Sequence, residues 1–262
     1  MNSIWINAPA KINIGLDVLR RREDGYHEVK MIMQSIRLFD RLTLTKSDKP
    51  GIRLTTNLRF LPVNEDNLVY RSAKLLMDEY KLEGGLDIQL DKRIPVAAGM
   101  AGGSTDAASC MLALNDLYEL GLSKRQLMKR GVRLGADIPY CILKGTALSE
   151  GIGEKISTIP KMPDCYVLIC KPGIHVSTGF VYTNLVLDEN TPHPDIDYMI
   201  TCMKKKDLKT LCQNLGNVLE TVTIPAHPEI AKIKETMMQE GALGSLMSGS
   251  GPTVFGIFDD LD

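Results

Sequence analysis

Two stretches of small residues carry most of the chemistry this sequence offers. The first, Pro95-Val96-Ala97-Ala98-Gly99-Met100-Ala101-Gly102-Gly103-Ser104-Thr105, joins a predicted strand to a predicted helix. Glycine permits positive φ and lets a ligand reach the backbone with no Cβ in the way. Successive N–H groups can then converge, and the helix N-terminus adds positive potential at the same place. Such a turn holds an anion, above all a phosphate, without net charge. An ordinary flexible loop closed by a Ser/Thr cap is the alternative. The second stretch, Met247-Ser248-Gly249-Ser250-Gly251-Pro252-Thr253, reads by itself as a tight turn before a strand, since Gly-Pro marks turns.

Other signatures are absent. There is no G-x-x-x-x-G-K-[ST], and no G-x-G-x-x-G follows a strand. A G-x-S-x-G elbow and the HRD/DFG pair of protein kinases are missing too. Lys11 and Asn13 share one face of the first strand, opposite Ile12, Ile14 and Leu16. A lysine on a strand face is ordinarily solvated. Asp137 follows a helix read as ending near Gly135, where a carboxylate meets the unfavourable end of the dipole, or it simply forms a turn. His175, His193 and His227 have no carboxylate or thiol at telling spacing and read as surface or packing residues.

The elements that must position these residues follow from periodicity. Strands are predicted at 3–16, 29–36, 40–45, 52–55 and 86–90, with a charged turn at 20–25. A helix is predicted at 67–80. Another starts at Ser104, with Ala107, Cys110, Met111, Leu114, Leu117 and Tyr118 on one face and a stop at Gly121. Ser123-Lys124-Arg125-Gln126 reads as a capping box for a helix to about Leu134. A stretch at 156–164 with Pro160 and Pro163 separates two halves, and 167–170 restarts as a buried strand. The second half holds a segment at 177–186, with Tyr182 read as an aromatic on a strand, helical 207–219, a further segment at 228–239 and a last strand at 253–258. Compact α/β domains ordinarily cover such a strand with another helix, which leaves room for a C-terminal segment beyond Asp262.

At 262 residues, 44% hydrophobic, the chain can bury one large core or two modest ones. A formal net charge of −1 excludes broad electrostatic binding to nucleic acid or anionic membrane. Six cysteines without a C-x-x-C pair or metal spacing read as buried reduced thiols. The N-terminus is not that of a signal peptide, and no apolar run approaches the roughly 20 residues of a membrane span. A cytoplasmic enzyme is the expectation.

The stretch at 95–105 resembles the phosphate loop of the galactokinase–homoserine kinase–mevalonate kinase–phosphomevalonate kinase (GHMP) superfamily, Pro-x-x-x-Gly-Leu-x-x-x-Ser-Ser/Thr, with Met100 replacing the usual leucine. The stretch at 247–253, about 150 residues on, resembles the superfamily's C-terminal glycine loop, which buttresses the phosphate site. Ala8-Pro9-Ala10-Lys11-Ile12-Asn13-Ile14-Gly15-Leu16 resembles its first motif. The continuation Arg22-Glu23-Asp24-Gly25-Tyr26-His27-Glu28-Val29 is narrower. With Asp66-Asn67-Leu68-Val69-Tyr70 and Leu134-Gly135-Ala136-Asp137-Ile138-Pro139, it is similar to the branch acting on a cytidyl-bearing methylerythritol in the non-mevalonate isoprenoid route.

The resemblance, spanning about 6–258, implies an α+β, two-layer GHMP-kinase-like fold. An N-terminal nucleotide-binding α/β domain (1–158) and a C-terminal α/β domain (159–262) would form a cleft between them. It implies ATP-dependent phosphorylation of the acceptor's 2-hydroxyl, with another GHMP kinase (mevalonate, phosphomevalonate, homoserine) or a catalytically silent nucleotide-binding protein as alternatives. Asp137 would take or position the hydroxyl proton, and Lys11 would pair with it and steady the transferring phosphoryl group. ATP would lie on Pro95, Val96, Ala97, Ala98, Gly99, Met100, Ala101, Gly102, Gly103, Ser104 and Thr105, with Asn67 either at the adenine pocket or capping a helix. The second loop, Ser248, Gly249, Ser250 and Gly251, would brace them. Asn13, Tyr26, His27, Thr178 and Tyr182 would meet the acceptor, the aromatics around its cytosine ring, although the family often has Phe at position 182. Mg²⁺ would accompany ATP, its ligands unidentified. A small-molecule substrate, no nucleic acid, no membrane, and a monomer or weak homodimer complete the expectation.

Overall fold

The structure, a computed structural model, describes residues 1–260; the last two residues of the predicted C-terminal domain, Leu261 and Asp262, lie outside the described residues. In chain order the elements are β1 (Ser3–Arg21), β2 (His27–Ser47), β3 (Gly51–Thr56), α1 (Leu68–Tyr80), β4 (Gly85–Asp91), α2 (Gly102–Leu117), α3 (Lys124–Gly131) and α4 (Ile138–Leu143). There follow β5 (Thr146–Gly151), β6 (Lys155–Thr158), β7 (Tyr166–Cys170), α5 (Thr178–Asn184), α6 (Ile196–Lys205) and α7 (Leu208–Gln213). The last are β8 (Gly216–Asn217), α8 (Glu220–Ala226), α9 (Glu229–Gln239), β9 (Gly244–Met247) and β10 (Val254–Phe258). Among the described residues no helix is long and apolar enough to cross a membrane.

The chain forms two compact units that interleave in sequence. The first comprises Met1–Ala10, Arg37–Val96 and Ala101–Lys144. There β3 runs parallel to β4 (Gly51 opposite Gly85) and β4 antiparallel to the second part of β2 (Arg41 opposite Asp91). The start of β1 joins through Lys46 N–H donating to Asn2 O. Alternation splits the sheet into two faces. Leu42, Leu44, Leu86, Ile88 and Leu90 are buried with the apolar stripes of α1 (Val69, Ala73, Leu76) and α2 (Ala107, Cys110, Met111, Leu114). Asn67 caps α1, its Oδ1 accepting from Val69 N–H at 2.9 Å. Ser123 and Gln126 form the capping box of α3.

The second unit comprises Lys11–Ile36, Ala97–Met100 and the chain from Gly145 onward. The rest of β1 runs parallel to β8, the first part of β2 antiparallel to β5, and β5 antiparallel to β6. A separate antiparallel sheet has the order β7-β10-β9. Val254, Phe255, Ile257, Leu246 and Met247 of that sheet are buried.

Several expectations are corrected. The strands at 29–36 and 40–45 are one strand, β2, because no glycine or proline interrupts residues 27–47. Both faces of β1 are buried around Lys11 to Val18, so Asn13 sits as deep as Ile12. Arg20 and Arg21 extend β1, which leaves the turn to residues 22–26. Helix α2 starts two residues before Ser104, at Gly102, and α3 ends at Gly131 rather than near Leu134. Strand β7 is an edge strand with Leu168 52% exposed, not a buried one. Tyr182 lies on helix α5, and the helix predicted over 207–219 stops at Gln213, where β8 takes over. None of the six cysteines is in a disulfide, and Cys165 and Cys170 are only half-buried.

In the first unit a buried charge triad holds the segment before α2 and the first turns of α2 in register. Lys92 Nζ donates to Asp40 Oδ2 and, at 2.7 Å, to Asp106 Oδ2 of α2. Asp40 Oδ1 accepts from the backbone N–H of Arg93 (2.5 Å) and Ile94 (2.8 Å). All three side chains are at most 4% exposed. A Cβ built on Gly102 would stand 3.2 Å from Lys92 Nζ, so the ammonium lies directly under the start of α2. Burial pushes the Asp106 carboxyl up from 3.8 to about 8, Lys92 working against that rise and Asp40 adding to it. The folded state therefore keeps this proton to higher pH than the unfolded chain does. The stability it lends is complete below about 4 and is lost as pH rises through about 8. We expect thermal unfolding of the wild type to shift downward between pH 6 and 9. Asp106→Asn, which keeps an uncharged group there, should flatten that dependence, and an equal slope in both proteins would refute the assignment.

Candidate active site

Within the second unit the two glycine-rich stretches lie backbone to backbone. A Cβ built on Gly99 would stand 2.2 Å from Ser248 O, and Gly99 has φ +70°, so only glycine fits there. Ser248 Oγ donates to Gly99 O at 3.1 Å and accepts from Asn13 N–H at 3.3 Å. Gly249 (φ +60°) and Gly251 (φ +89°) turn the second loop, which also contains a cis Gly251–Pro252 bond. Asn217 on β8 donates from Nδ2 to Met247 O (2.8 Å) and Gly249 O (2.7 Å). Glu220 Oε1 accepts from Met247 N–H, and Thr178 Oγ1 lies 2.8 Å from Ser250 Oγ.

In the first unit, Gly102 and Gly103 open α2, with Ala101 as N-cap at φ +55° and no side-chain cap. Its first N–H groups are thus left for a ligand or water. Ala97 of the second unit has φ +52°. Each such non-glycine residue costs on the order of 1 kcal/mol, which functional sites tolerate. Thr105 Oγ1 is buried without a hydrogen-bond partner, while Ser104 is half-buried. Pro95 is half-buried and Val96 exposed, whereas Ala98 and Met100 are buried. Asn67 spends both ends of its amide inside the protein, since Nδ2 also donates to Pro62 O at 2.8 Å.

Lys11 is 5% exposed, and its Nζ donates to Asn13 Oδ1 at 2.5 Å. Asn13 Nδ2 reaches Met31 Sδ at 3.2 Å. Asp137 belongs to the first unit and occupies the N-cap of α4, half-buried, with no capping hydrogen bond from its side chain. That corrects the expectation of an unfavourable helix end. Pro139 at the second position of α4 starts a new short helix, so the local dipole favours a carboxylate.

Around the turn after β1, Tyr26 is 61% exposed and its N–H donates to Asp24 Oδ1. The ring that meets Tyr182 is that of His27, with centroids 5.1 Å apart and planes at 43°. Burial, and secondarily Arg21, lowers the His27 pKa, which favours a neutral imidazole. His193, which has no carboxylate at telling spacing, finds one in the fold, with Nδ1 2.6 Å from Asp17 Oδ1. The pair is 176 residues apart in sequence, so no spacing argument finds it. Sequence reasoning also missed Lys92, Asp40, Asp106, Asn217 and Glu220. Each acts through partners away from its own motif; Asp106 directly follows the first glycine-rich stretch, and the other four sit in no motif whose residue types announce a role.

Residues 67–145 match the GHMP kinases N terminal domain, and residues 199–262 match GHMP kinases C terminal. A 4-diphosphocytidyl-2-C-methyl-D-erythritol kinase of Lachnospira eligens is 54% identical over 260 residues, covering 99% of this chain and 90% of the relative. A crystal structure of 4-(cytidine 5'-diphospho)-2C-methyl-D-erythritol kinase superimposes with a TM-score of 0.84 at 33% identity, covering 97% of this chain and 90% of that one. A homoserine kinase from Cytophaga hutchinsonii shares the fold, with a TM-score of 0.81 at 21% identity over 98% of this chain and 85% of that one. Near-complete coverage at 54% identity decides the affiliation: the chain belongs to the GHMP kinases, within the 4-diphosphocytidyl-2-C-methyl-D-erythritol kinase family.

Proposed function

We propose that this chain transfers the γ-phosphoryl group of ATP to the 2-hydroxyl of 4-diphosphocytidyl-2-C-methyl-D-erythritol. The observation that carries the reading is the seating of Gly99 on the Ser248 backbone, which presents a loop to a ligand with no side chain in the way. The loop at 95–105 then holds the ATP phosphates by backbone N–H groups and the start of α2. Asp137 accepts the proton of the 2-hydroxyl. The freed oxygen attacks the γ-phosphorus in line, and the bond from that phosphorus to the β–γ bridging oxygen breaks, releasing ADP. Lys11, oriented by Asn13, steadies charge on the transferring group, a contact worth roughly 3–4 kcal/mol of barrier.

The cytidyl group distinguishes this acceptor from mevalonate or homoserine. Tyr26 offers an exposed π-face for the base, and neutral His27, set against Tyr182, offers a ring nitrogen to its polar edge. Thr178 and Ser250 place hydroxyls on the same unit. Mg²⁺ fits this chemistry as a phosphate-borne ion. Among the described residues no group of three or more His, Cys, Asp or Glu could cage it, so ATP oxygens and water would carry it and offset phosphate charge.

A coupled ADP-release assay with Mg-ATP should show turnover with the cytidyl acceptor and none with mevalonate or homoserine; the reverse preference would sink the acceptor assignment. Asp137→Ala should lower kcat by about 10³-fold or more while ATP still binds. Near-native turnover in that variant would remove Asp137 from the chemistry. Gly99→Ala must displace Ser248 O, so the KM for ATP should rise at least about tenfold. An unchanged KM would mean that this loop does not hold the phosphates.

A further inference from the structure

None of the residues assigned to the reaction lies on the open face of the sheet in the first unit, yet that face concentrates positive charge. A cavity of about 170 Å³ there is lined by Asn7, Arg37, Leu38, Phe39, Arg41 and Arg93. A second cavity, about 370 Å³, shares Arg41 and is walled by Thr43, Thr55, Asn57 and Gln89, with the carboxylate of Asp91, the ion-pair partner of Arg93, also in its lining.

The three guanidinium groups are poorly compensated. Arg41 lies 5.0 Å from the Trp5 ring centroid and donates from Nε to Asn7 Oδ1 at 3.4 Å; Asp91 stands opposite it across the β2–β4 pairing, but the two make no ion pair, and Asp91 binds Arg93. Arg37 has no ion pair among them either. Arg93 reaches only Asp91, at 3.3 Å, and that pair is largely exposed. The nearby carboxylate of Asp87 is already taken by Arg53 at 2.5 Å. Three cations around one small cavity repel each other until an anion enters. Guanidinium forks match the oxygen geometry of phosphate, and the stack on Trp5 holds one fork in place before binding, which lowers the ordering cost. Leu38 and Phe39 add an apolar wall that strengthens charge–charge contacts.

We propose that this cavity binds a small phosphorylated metabolite. Its phosphate or diphosphate sits among Arg37, Arg41 and Arg93, and its polar body lies along Thr43, Thr55, Asn57 and Gln89. The Asn57 amide is held at both ends by the Lys92 backbone, so the Thr43 hydroxyl and the Gln89 amide are the groups that suit a polyol or nucleoside portion rather than an apolar tail. This site is separate from the residues assigned to phosphoryl transfer and does not depend on that assignment.

The chain has a single tryptophan, Trp5, and it touches Arg41, so its emission reports on this cavity. The full chain is titrated with inorganic diphosphate in saturating Mg-ADP, which fills the nucleotide site, against chloride at equal ionic strength. A saturable emission change is expected. Arg37→Ala and Arg93→Ala should each weaken it at least about tenfold, as loss of a charge-assisted contact implies. Turnover in both variants should stay within about twofold of wild type, since neither residue serves the reaction. The site is refuted if diphosphate does no more than chloride, or if both variants give the wild-type curve.

Discussion

Three charges buried in one place constrain how the first unit can be built. Lys92 cannot leave water without partners, and it finds them in Asp40 and Asp106, drawn from β2 and α2. Asp40 spends its other oxygen on the N–H groups of Arg93 and Ile94. Strand, descending chain and helix are therefore tied at one point, directly below Gly102. A buried pair of this kind contributes little net stability compared with apolar packing, but breaking it costs about 3–5 kcal/mol. Its value lies in geometry: any alternative path for residues 92–94 would leave a charge or a backbone donor unsatisfied. The raised carboxyl of Asp106 is the residue of that bargain, since one proton among two carboxylates and an ammonium leaves the cluster near neutrality.

The second unit solves a different problem, bringing two backbones close enough that neither tolerates a side chain. Gly99 against Ser248 O meets that limit, and the surrounding hydrogen bonds keep it from relaxing. Ser248 links Gly99 to β1 through Asn13, while Asn217 holds Met247 and Gly249 by their carbonyls. Ser248 and Asn217 bond backbone groups only, so the loop is held rigid without charged side chains, as the proposed binding of a polyanion by backbone dipoles requires. The left-handed alanines at 97 and 101 belong to the same economy, because strain there persists only while neighbours over-determine it.

How much of this was legible in the sequence depended on distance along the chain. The two glycine loops, the cap at Asn67 and the capping box at Ser123 are local patterns, and the turns and caps they announce are present. Where local signals competed, the reading failed. Residues 207–219 read as one helix, yet Asn214, Gly216 and Asn217 favour it weakly, and the parallel pairing of Gly216 and Asn217 with β1 replaces it after Gln213. Asp137 looked like the end of one helix because Gly135 reads as a stop, whereas α3 has already ended at Gly131 and Asp137 caps α4, which carries Pro139 in its first turn. The triad, the Asn217 clamp and the His193–Asp17 pair were invisible, since their members are separated by up to 176 residues and belong to no motif. The assigned family follows from local motifs, while the support beneath them follows only from tertiary structure.

The distribution of charge across the molecule is the last consequence. A kinase for a diphosphate-bearing acceptor must handle two polyanions, yet the residues assigned to that task include one lysine, Lys11, and it is spent on an amide oxygen. Backbone dipoles can replace cations there because they are fixed before the ligand arrives and need no reorganisation. They also leave the site neutral when empty, avoiding the repulsion that a cluster of unpaired cations would impose on the folded chain. The open sheet face in the first unit follows the opposite rule: Arg37, Arg41 and Arg93 crowd one cavity, and one carboxylate, Asp91, paired with Arg93 and opposite Arg41, serves them. In a chain whose formal charges nearly cancel overall, such a local surplus is a cost, and an anion bound among the three guanidinium groups is the simplest way to offset it.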